Sequence, residues 1–366
     1  MDQTSRAWLI LSQAHLRVAE FRTLCSRYGD VTAIIEQPRR ELNEAGLTDD
    51  KSQAIASPDN AKLDSALAWL EHDSHHIVAP GQDDYPELLS QIPAPPLLLY
   101  VNGNVDALQL PSLAIIGSRN PTRGGLRNSL EFARYLAKSG FSIVSGLAEG
   151  IDTAAHRGAM DAGGKTVAIL GHGIDRVYPA ANRDLAHAIS GSGALVTEYP
   201  LGARPLRHHF PERNRLISGL SLGTLVVEAA RRSGSLITAR LATEQGREVF
   251  ALPGSIHNPL ARGCHALIRQ GAKLAETAAD ILSELSPLTH HMMQTPAKTT
   301  HPEAEPADDD EDYVELRTML GHDPVSIDEL AAQSSLTIDQ LSSMLLILEL
   351  HGEVESLSGG RYTLSG

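Results

Sequence analysis

Short apolar runs alternate with segments of helical composition between residues 76 and 290, and this alternation constrains the fold of the chain more than any other feature. The apolar runs occupy residues 113–116, 141–144, 166–170, 194–197, 224–227 and 248–252. Segments of helical composition lie between them, at 125–139, 152–162 and 233–245. Strands that alternate with helices at this spacing predict a parallel sheet with helices on both faces. We therefore expect an α/β fold with a doubly wound parallel sheet.

Three further modules flank this region. Residues 1–75 have helical spacing without a strand pattern, which predicts a small N-terminal helical domain. Residues 313–366 carry two capping-box patterns, at 326–329 and 337–340, followed by a hairpin signal at 358–360. Helix, helix and hairpin in this order predict a winged-helix domain. Residues 291–312, between the sheet region and this domain, are predicted to be an acidic disordered linker, because the segment is rich in proline and acid.

The charge of the chain is unevenly distributed. The net charge is −14, yet residues 303–312 alone contain seven acids and no base. Residues 204–273 contain eleven bases and four acids, a local charge of +7. Because local charge attracts a polyanion, the overall acidity does not exclude nucleic acid as a partner. The second helix predicted in the winged-helix domain, at 337–350, has no Lys or Arg, which favours a protein contact there over DNA reading.

Glycine follows most of the predicted strands. In an open parallel sheet the ligand binds beyond the carboxyl ends of the strands, and glycine lets the backbone approach an anion there. Glycine-rich stretches occur at 117–120, 145–152, 171–173, 233–235 and 253–254. Neither a Walker motif nor a dinucleotide fingerprint follows the first of these strands, so we expect no nucleotide cofactor.

The segment 204–215 combines four arginines, two histidines and Phe210. Arginine suits phosphate oxygens, an aromatic ring can stack on a base, and Asn214 can reach a base edge or the backbone. Several phosphates together with unstacked bases indicate single-stranded nucleic acid. The alternative is a solvated, charged helix start with Phe210 in the core.

Six motifs, in order, resemble the DNA-processing protein A family (DprA, also called Smf). They lie at 117–119, 145–152, 209–218, 233–239, 246–254 and 263–272, within a resemblance that covers about residues 85–275. The resemblance implies an extended Rossmann fold that binds single-stranded DNA and helps to load RecA recombinase during natural transformation. It also implies a homodimer, no known catalytic activity and an N-terminal SAM-like or helix-hairpin-helix-like domain. The single-stranded DNA contacts are expected at Gly117, Ser118, Arg119, Gly146, Arg207, His209, Phe210, Arg213, Asn214, Arg215, Gly234 and Ser235.

Two other functions compete with this prediction. The stretch 222–228, with the glycine loops, is similar to Rossmann-like nucleotide phosphoribohydrolases, in which a Glu helps to cleave a base from a nucleoside monophosphate. The chain lacks the Pro-Gly-Gly-x-Gly-Thr loop of that family. The other alternative is a protein that acts only as an interaction scaffold, which would give the basic segment 204–273 no function. Glu149 and Asp152 are interpreted as caps of free N–H groups, and Glu228 as the anchor of a loop backbone or of Arg231.

The remaining features predict a cytoplasmic protein without membrane contact. No apolar run approaches the length of a membrane span, and the N-terminus does not have the pattern of a signal peptide. Two cysteines, Cys25 and Cys264, fit a reducing compartment. His172, His208 and His209 lack the spacing of metal ligands, so no metal is expected.

Overall fold

The computed structural model of the chain describes residues 3–294 continuously. Further on it describes residues 316, 319–320, 325–334, 336, 341, 344–345, 348, 354–357 and 361–364. The chain forms two compact units, Met1–Thr295 and Pro296–Gly366. Within the described residues, no helix combines the length and the hydropathy needed to cross a bilayer.

A nine-stranded sheet forms the centre of the first unit. In chain order its strands are β1 (His75–Val78), β2 (Leu99–Gly103), β3 (Ser112–Ile116), β4 (Ser142–Ser145), β5 (Thr166–Ile169), β6 (Ala194–Thr197), β7 (Gly223–Val226), β8 (Glu248–Ala251) and β9 (Lys273–Leu274). Their spatial order is β1-β2-β6-β5-β4-β3-β7-β8-β9. All neighbours from β6 to β9 are parallel, whereas β1 pairs antiparallel with β2, and β2 with β6. The predicted doubly wound α/β fold is confirmed, with two antiparallel strands and the short β9 added at its edges.

The six predicted strands coincide with β3–β8 to within one residue at either end, because both of their faces are buried. In β3, Leu113 and Ile115 pack into one hydrophobic cluster, and Ala114 and Ile116 pack into another on the opposite face. A strand covered on both sides has a continuous apolar sequence.

Helices cover both faces of this sheet. They are α7 (Glu87–Ser90), α8 (Arg123–Lys138), α9 (Ile151–Asp161), α10 (Arg183–Ser192), α11 (His209–Gly219), α12 (Ser235–Glu244), α13 (Arg262–Arg269) and α14 (Ala278–Gln294). Side chains of α8, α9 and α14 share one cluster with the sheet, and side chains of α11, α12 and α13 share the other. The end of α14 runs through Pro287 into the segment predicted to be linker. The rest of that linker, 295–312, lies outside the described residues.

Six helices precede the sheet: α1 (Gln3–Gln13), α2 (Val18–Tyr28), α3 (Val31–Ile35), α4 (Arg39–Glu44), α5 (Asp49–Ala56) and α6 (Asn60–Trp69). Their apolar side chains form one cluster that continues into Leu98, Tyr100 and Leu170 of the sheet region. These helices therefore pack beside the antiparallel end of the sheet, where β1 and β2 lie.

The second unit contains a three-stranded antiparallel sheet made of β10 (Val325–Ser326), β11 (Val354–Leu357) and β12 (Arg361–Leu364). Helix α15 (Ile327–Gln333) begins with the predicted capping box, in which Ser326 and Glu329 bond each other's backbone N–H. The second predicted box, at 337–340, lies outside the described residues. Leu341, Leu345 and Leu348 are fully buried, as expected for core residues.

Candidate nucleic-acid interface

The loops that follow β3–β8 lie at the same end of the sheet, because these strands are parallel. We call this end the carboxyl edge. It brings together the glycine-rich stretches that are separate in the sequence. In open α/β sheets a ligand binds in the crevice outside this edge.

Glycine lets the loop after β3 touch the start of α9. The φ angle of Gly150 is +83°, and a Cβ atom there would lie 2.4 Å from the carbonyl oxygen of Ser118. The amide of Ile151 donates to that same oxygen at 3.1 Å. On α12, the Ser235 hydroxyl donates to the carbonyl oxygen of Gly117 at 2.8 Å. The loops after β3, β4 and β7 are therefore fastened to one another.

Replacing Gly150 by alanine is expected to destabilise the protein strongly. A residue forced into an unfavourable backbone region costs about 1–3 kcal/mol, and the methyl group would also collide with the Ser118 carbonyl. Gly163 is a matched control, since its φ is +72° but a Cβ atom there has no neighbour within 4 Å. Urea unfolding should show a larger loss for Gly150→Ala than for Gly163→Ala. Equal losses would mean that the loop contact carries no stability.

Glu228 fixes the loop after β3 through hydrogen bonds to Thr122. Glu228 is 8% exposed, and its carboxylate accepts hydrogen bonds from the Thr122 amide at 2.9 Å and hydroxyl at 2.6 Å. The Thr122 hydroxyl in turn caps α8 by accepting from the amide of Gly125 at 3.0 Å. The interpretation of Glu228 as the anchor of a loop backbone is confirmed.

Arg213 lies beneath the edge and not on it, so its expected contact with DNA needs correction. It is 4% exposed, and Nη1 donates to the carbonyl oxygens of Gly146, at 3.0 Å, and Ile169. Asp152 accepts from the amides of Gly146 and Ala148 at 3.1 and 3.3 Å. Asp152 therefore caps loop amides and not its own helix. A Cβ atom on Gly146 would be 2.7 Å from Arg213 Nη2, so this glycine makes room for the guanidinium.

Burial shifts the pKa values of this pair in opposite directions. It raises the pKa of the Asp152 carboxyl to about 6, although the charge of Arg213 and the two loop amides act the other way. It lowers the pKa of Arg213 to about 10, although the charge of Asp152 opposes this shift. The guanidinium therefore stays charged at neutral pH and stabilises the ionised carboxylate.

Phe210, near the start of α11, is half-buried at the carboxyl edge. The guanidinium carbon of Arg119 lies 5.9 Å from the centre of the Phe210 ring. A Cβ atom on Gly171 would be 3.1 Å from that ring, so the ring fits against a bare stretch of backbone. His209 stacks on Tyr199 at 4.1 Å between ring centres, and its Nδ1 lies 3.2 Å from the carbonyl oxygen of Gly171. The imidazole of His209 therefore already has partners within the protein, the Tyr199 ring and the Gly171 carbonyl oxygen.

The cations named from the sequence fall into two groups. Arg119 and Arg207 are exposed and have no hydrogen bond or ion pair with any other residue in the described part of the chain. Arg215 instead pairs with Glu198, and both line a cleft of about 1400 Å³ beside the N-terminal helices. Asn214 accepts a hydrogen bond from Arg213 Nε at 3.3 Å. The structure thus leaves Arg119 and Arg207 available to a ligand, and it occupies Arg213 and Arg215 internally.

The other expected contacts are loop residues. Gly117 is half-buried, Gly234 is exposed, and the hydroxyl of Ser118 accepts from the amide of Asn120 at 3.1 Å. Tyr178, which was not among the residues expected from the sequence, is 47% exposed and lies beside Phe210. Its position shortly after the glycines at 171–173 was the available signal. Among the described residues, no three His, Cys, Asp or Glu side chains are grouped so as to hold a metal ion.

Comparison with known proteins assigns the family. A family model described as DNA recombination-mediator protein A matches residues 76–286, more than half of the chain. The chain belongs to this family. A second model, the DprA winged helix domain, matches residues 300–360 of this family member, which confirms the winged-helix prediction. The resemblance seen in the sequence motifs is confirmed as well.

Members of the DNA recombination-mediator protein A family are similar over most of the chain. Protein Smf of Escherichia coli (strain K12) is 40% identical over 324 residues, which is 87% of this chain and 85% of Smf. The putative DNA processing protein DprA of Mycobacterium tuberculosis (strain ATCC 25618 / H37Rv) is 34% identical over 377 residues, or 98% of this chain and 94% of the relative.

Solved structures of this family have the same fold. DNA processing protein A (DprA) from Streptococcus pneumoniae superimposes with a TM-score of 0.68 at 38% identity, over 78% of this chain and 99% of that one. DNA processing protein A from Helicobacter pylori, described for its mode of binding single-stranded DNA, gives a TM-score of 0.54 at 29% identity. That match covers 59% of this chain and 97% of the other.

Proposed function

We propose that this protein binds single-stranded DNA at the carboxyl edge and acts in DNA processing during natural transformation and recombination. One observation carries the proposal: the half-buried ring of Phe210 lies beside the exposed guanidinium of Arg119. Arg207, three residues before Phe210 in the chain, is also exposed, and the described residues hold neither arginine in an ion pair. Aromatic rings that stack on bases, with cations that bind phosphates, are how proteins hold single strands without reading their sequence. The Helicobacter pylori relative that binds single-stranded DNA supports the proposal.

Removing the Phe210 ring tests this assignment. Phe210→Ala should weaken binding of single-stranded DNA by about fivefold or more, since stacking of one base contributes about 1–3 kcal/mol. Phe210→Tyr keeps a ring and should bind almost as well as the wild type. Fluorescence anisotropy with a labelled oligothymidylate measures both.

Tyr135 supplies the control for this experiment. It is 51% exposed on α8, and the structure places no other aromatic ring in contact with it among the described residues. Tyr135→Ala should leave DNA binding unchanged. If Phe210→Ala binds like Tyr135→Ala, the stacking role of Phe210 is wrong.

We propose further that the chain has no catalytic activity of its own. The carboxylate of Glu228 is the group that a phosphoribohydrolase would need free, and here it accepts two hydrogen bonds from Thr122. Incubation with nucleoside monophosphates should release no free base. Release of base that Glu228→Gln abolishes would revive the enzymatic alternative.

RecA recombinase and a second copy of this chain are the proposed protein partners, and a cytoplasmic location is proposed for all of them. The family resemblance supports the partners. The free thiols of Cys25 and Cys264 are compatible with a reducing compartment. A gel shift with single strand, duplex and RNA of equal length, followed by addition of RecA, tests strand preference and partner in one experiment. Equal binding to duplex would contradict the single-strand assignment.

A further inference from the structure

The loop between β5 and α10, residues 170–182, is fixed to its neighbours on both sides. At its end, the side-chain amide nitrogen of Asn182 donates to the carbonyl oxygen of Leu147, in the loop after β4, at 2.9 Å. Near its start, the Gly173 amide donates to the carbonyl oxygen of Ala203, in the loop after β6, at 3.0 Å. Asp175 accepts from the amide of Gly202 at 2.9 Å. The loops after β4 and β6 therefore hold this one in place.

Tyr178 lies on this fixed loop and extends the exposed surface around Phe210. Its ring centre is 5.7 Å from that of Phe210, with an angle of 42° between the ring planes. Arg119 lies 5.9 Å from the same Phe210 ring. Tyr178 is 47% exposed, so part of its side chain is accessible to a ligand.

We propose that Tyr178 is a second base-stacking residue, so that the site holds two neighbouring bases of a strand, one at Phe210 and one at Tyr178. This inference rests on the proposed function and deepens it. Phe210 alone would hold one base and would leave the next free in solvent. With Tyr178, two adjacent nucleotides are ordered, and Arg119 and Arg207 bind the phosphates around them.

The ring geometry decides how the bases are placed. A base inserted between two rings needs two stacking distances of roughly 3.4 Å each, about 7 Å in total. The 5.7 Å between the ring centres of Tyr178 and Phe210 is too short, and the rings are tilted. Each ring therefore presents its own free surface to a different base. Because stacking involves no charge, Tyr178 contributes to affinity without changing its dependence on salt.

Anisotropy titrations with an oligothymidylate of about 20 nucleotides test the proposal. Tyr178→Ala should weaken binding by about fivefold or more, with the same salt slope as the wild type. Tyr178→Phe should bind almost like the wild type, and Tyr135→Ala supplies the control for loss of an exposed tyrosine. On a strand of the same length made of abasic nucleotides, Tyr178→Ala and the wild type should bind equally, since nothing can stack.

Three results would overturn the inference. They are binding of Tyr178→Ala that equals that of Tyr135→Ala, a loss of the same size on the abasic strand, and a loss in Tyr178→Phe as large as in Tyr178→Ala. Crosslinking of the wild type to a strand that carries 5-iodouracil avoids any folding defect of the variants. The peptides that contain Phe210 and Tyr178 should both be labelled, and absence of the Tyr178 peptide would count against the proposal.

The outcomes separate this inference from the function on which it rests. If the wild type does not bind single strands, both the proposed function and the stacking role of Tyr178 are wrong. If Phe210→Ala and Arg207→Ala weaken binding but Tyr178→Ala does not, the proposed function stands and only the second stacking position is wrong.

Discussion

Replacing Arg119 and Arg207 together by alanine should reduce affinity for single-stranded DNA by roughly 100-fold or more at low salt, because a hydrogen bond to a charged group contributes about 1.5–3 kcal/mol. Both side chains are exposed, and the described residues hold neither of them in an ion pair. The slope of log affinity against log salt concentration should also become shallower, by about 0.7 for each cation removed from a phosphate of a single strand. Titrations at several salt concentrations measure affinity and slope together. All oligonucleotide sequences should be affected alike, since phosphates carry no sequence information.

The control must remove the same charge elsewhere. Arg40 is exposed and Arg134 is half-buried, and they pair with Glu44 and Asp161 on surfaces formed by helices. Arg40→Ala combined with Arg134→Ala changes the net charge by the same amount and should leave the salt slope unaltered. If both double variants lose affinity equally, the effect is one of overall charge and the carboxyl edge is not the site.

How much of the fold could be predicted depended on burial. The strands β3–β8 were visible in the sequence because both faces are covered and their residues form unbroken apolar runs. β1 (His75–Val78) was missed because its side chains are only half-buried up to Val78 and two of its four residues are histidines. The antiparallel direction of β2 depends on contacts with a strand about 95 residues away in the chain, which local sequence does not encode.

The carboxyl edge itself was predictable, since tight turns alone do not account for glycine after several parallel strands. Which arginines are free was not predicted, because residue type does not state which way a side chain points. A helical period could have corrected this for Arg213. It lies on the same stripe as the buried Leu216 and Ile217 of α11 and Leu220 at its C-cap, at spacings of three, four and seven residues. Its burial thus has a signal in the sequence, whereas the pairing of Arg215 with Glu198 has none.

The buried position of Arg213 leads to the largest expected effect on stability. Arg213→Met should lower the free energy of unfolding by about 3–5 kcal/mol at neutral pH, because removal of one partner leaves a buried charge without compensation. The partner left behind is the Asp152 carboxylate, and the carbonyl oxygen of Gly146 loses its donor too. Urea unfolding of the two proteins measures the difference. An exposed arginine that contacted only DNA would give almost no change in stability.

The pH dependence of this loss in unfolding free energy identifies its cause. In the wild type, burial already raises the pKa of Asp152 to about 6, above that of an unfolded chain, and the charge of Arg213 limits the rise. Without Arg213 the pKa rises further, so the folded variant keeps a proton that the unfolded chain has released. Folding then becomes less favourable as pH increases, and the deficit of Arg213→Met should widen between about pH 6.5 and 8, by at most about 1.4 kcal/mol per pH unit. Adding Asp152→Asn removes the titrating group, so the stability loss of the double variant should no longer depend on pH over this range. If the loss still changes with pH in the double variant, another group is the cause.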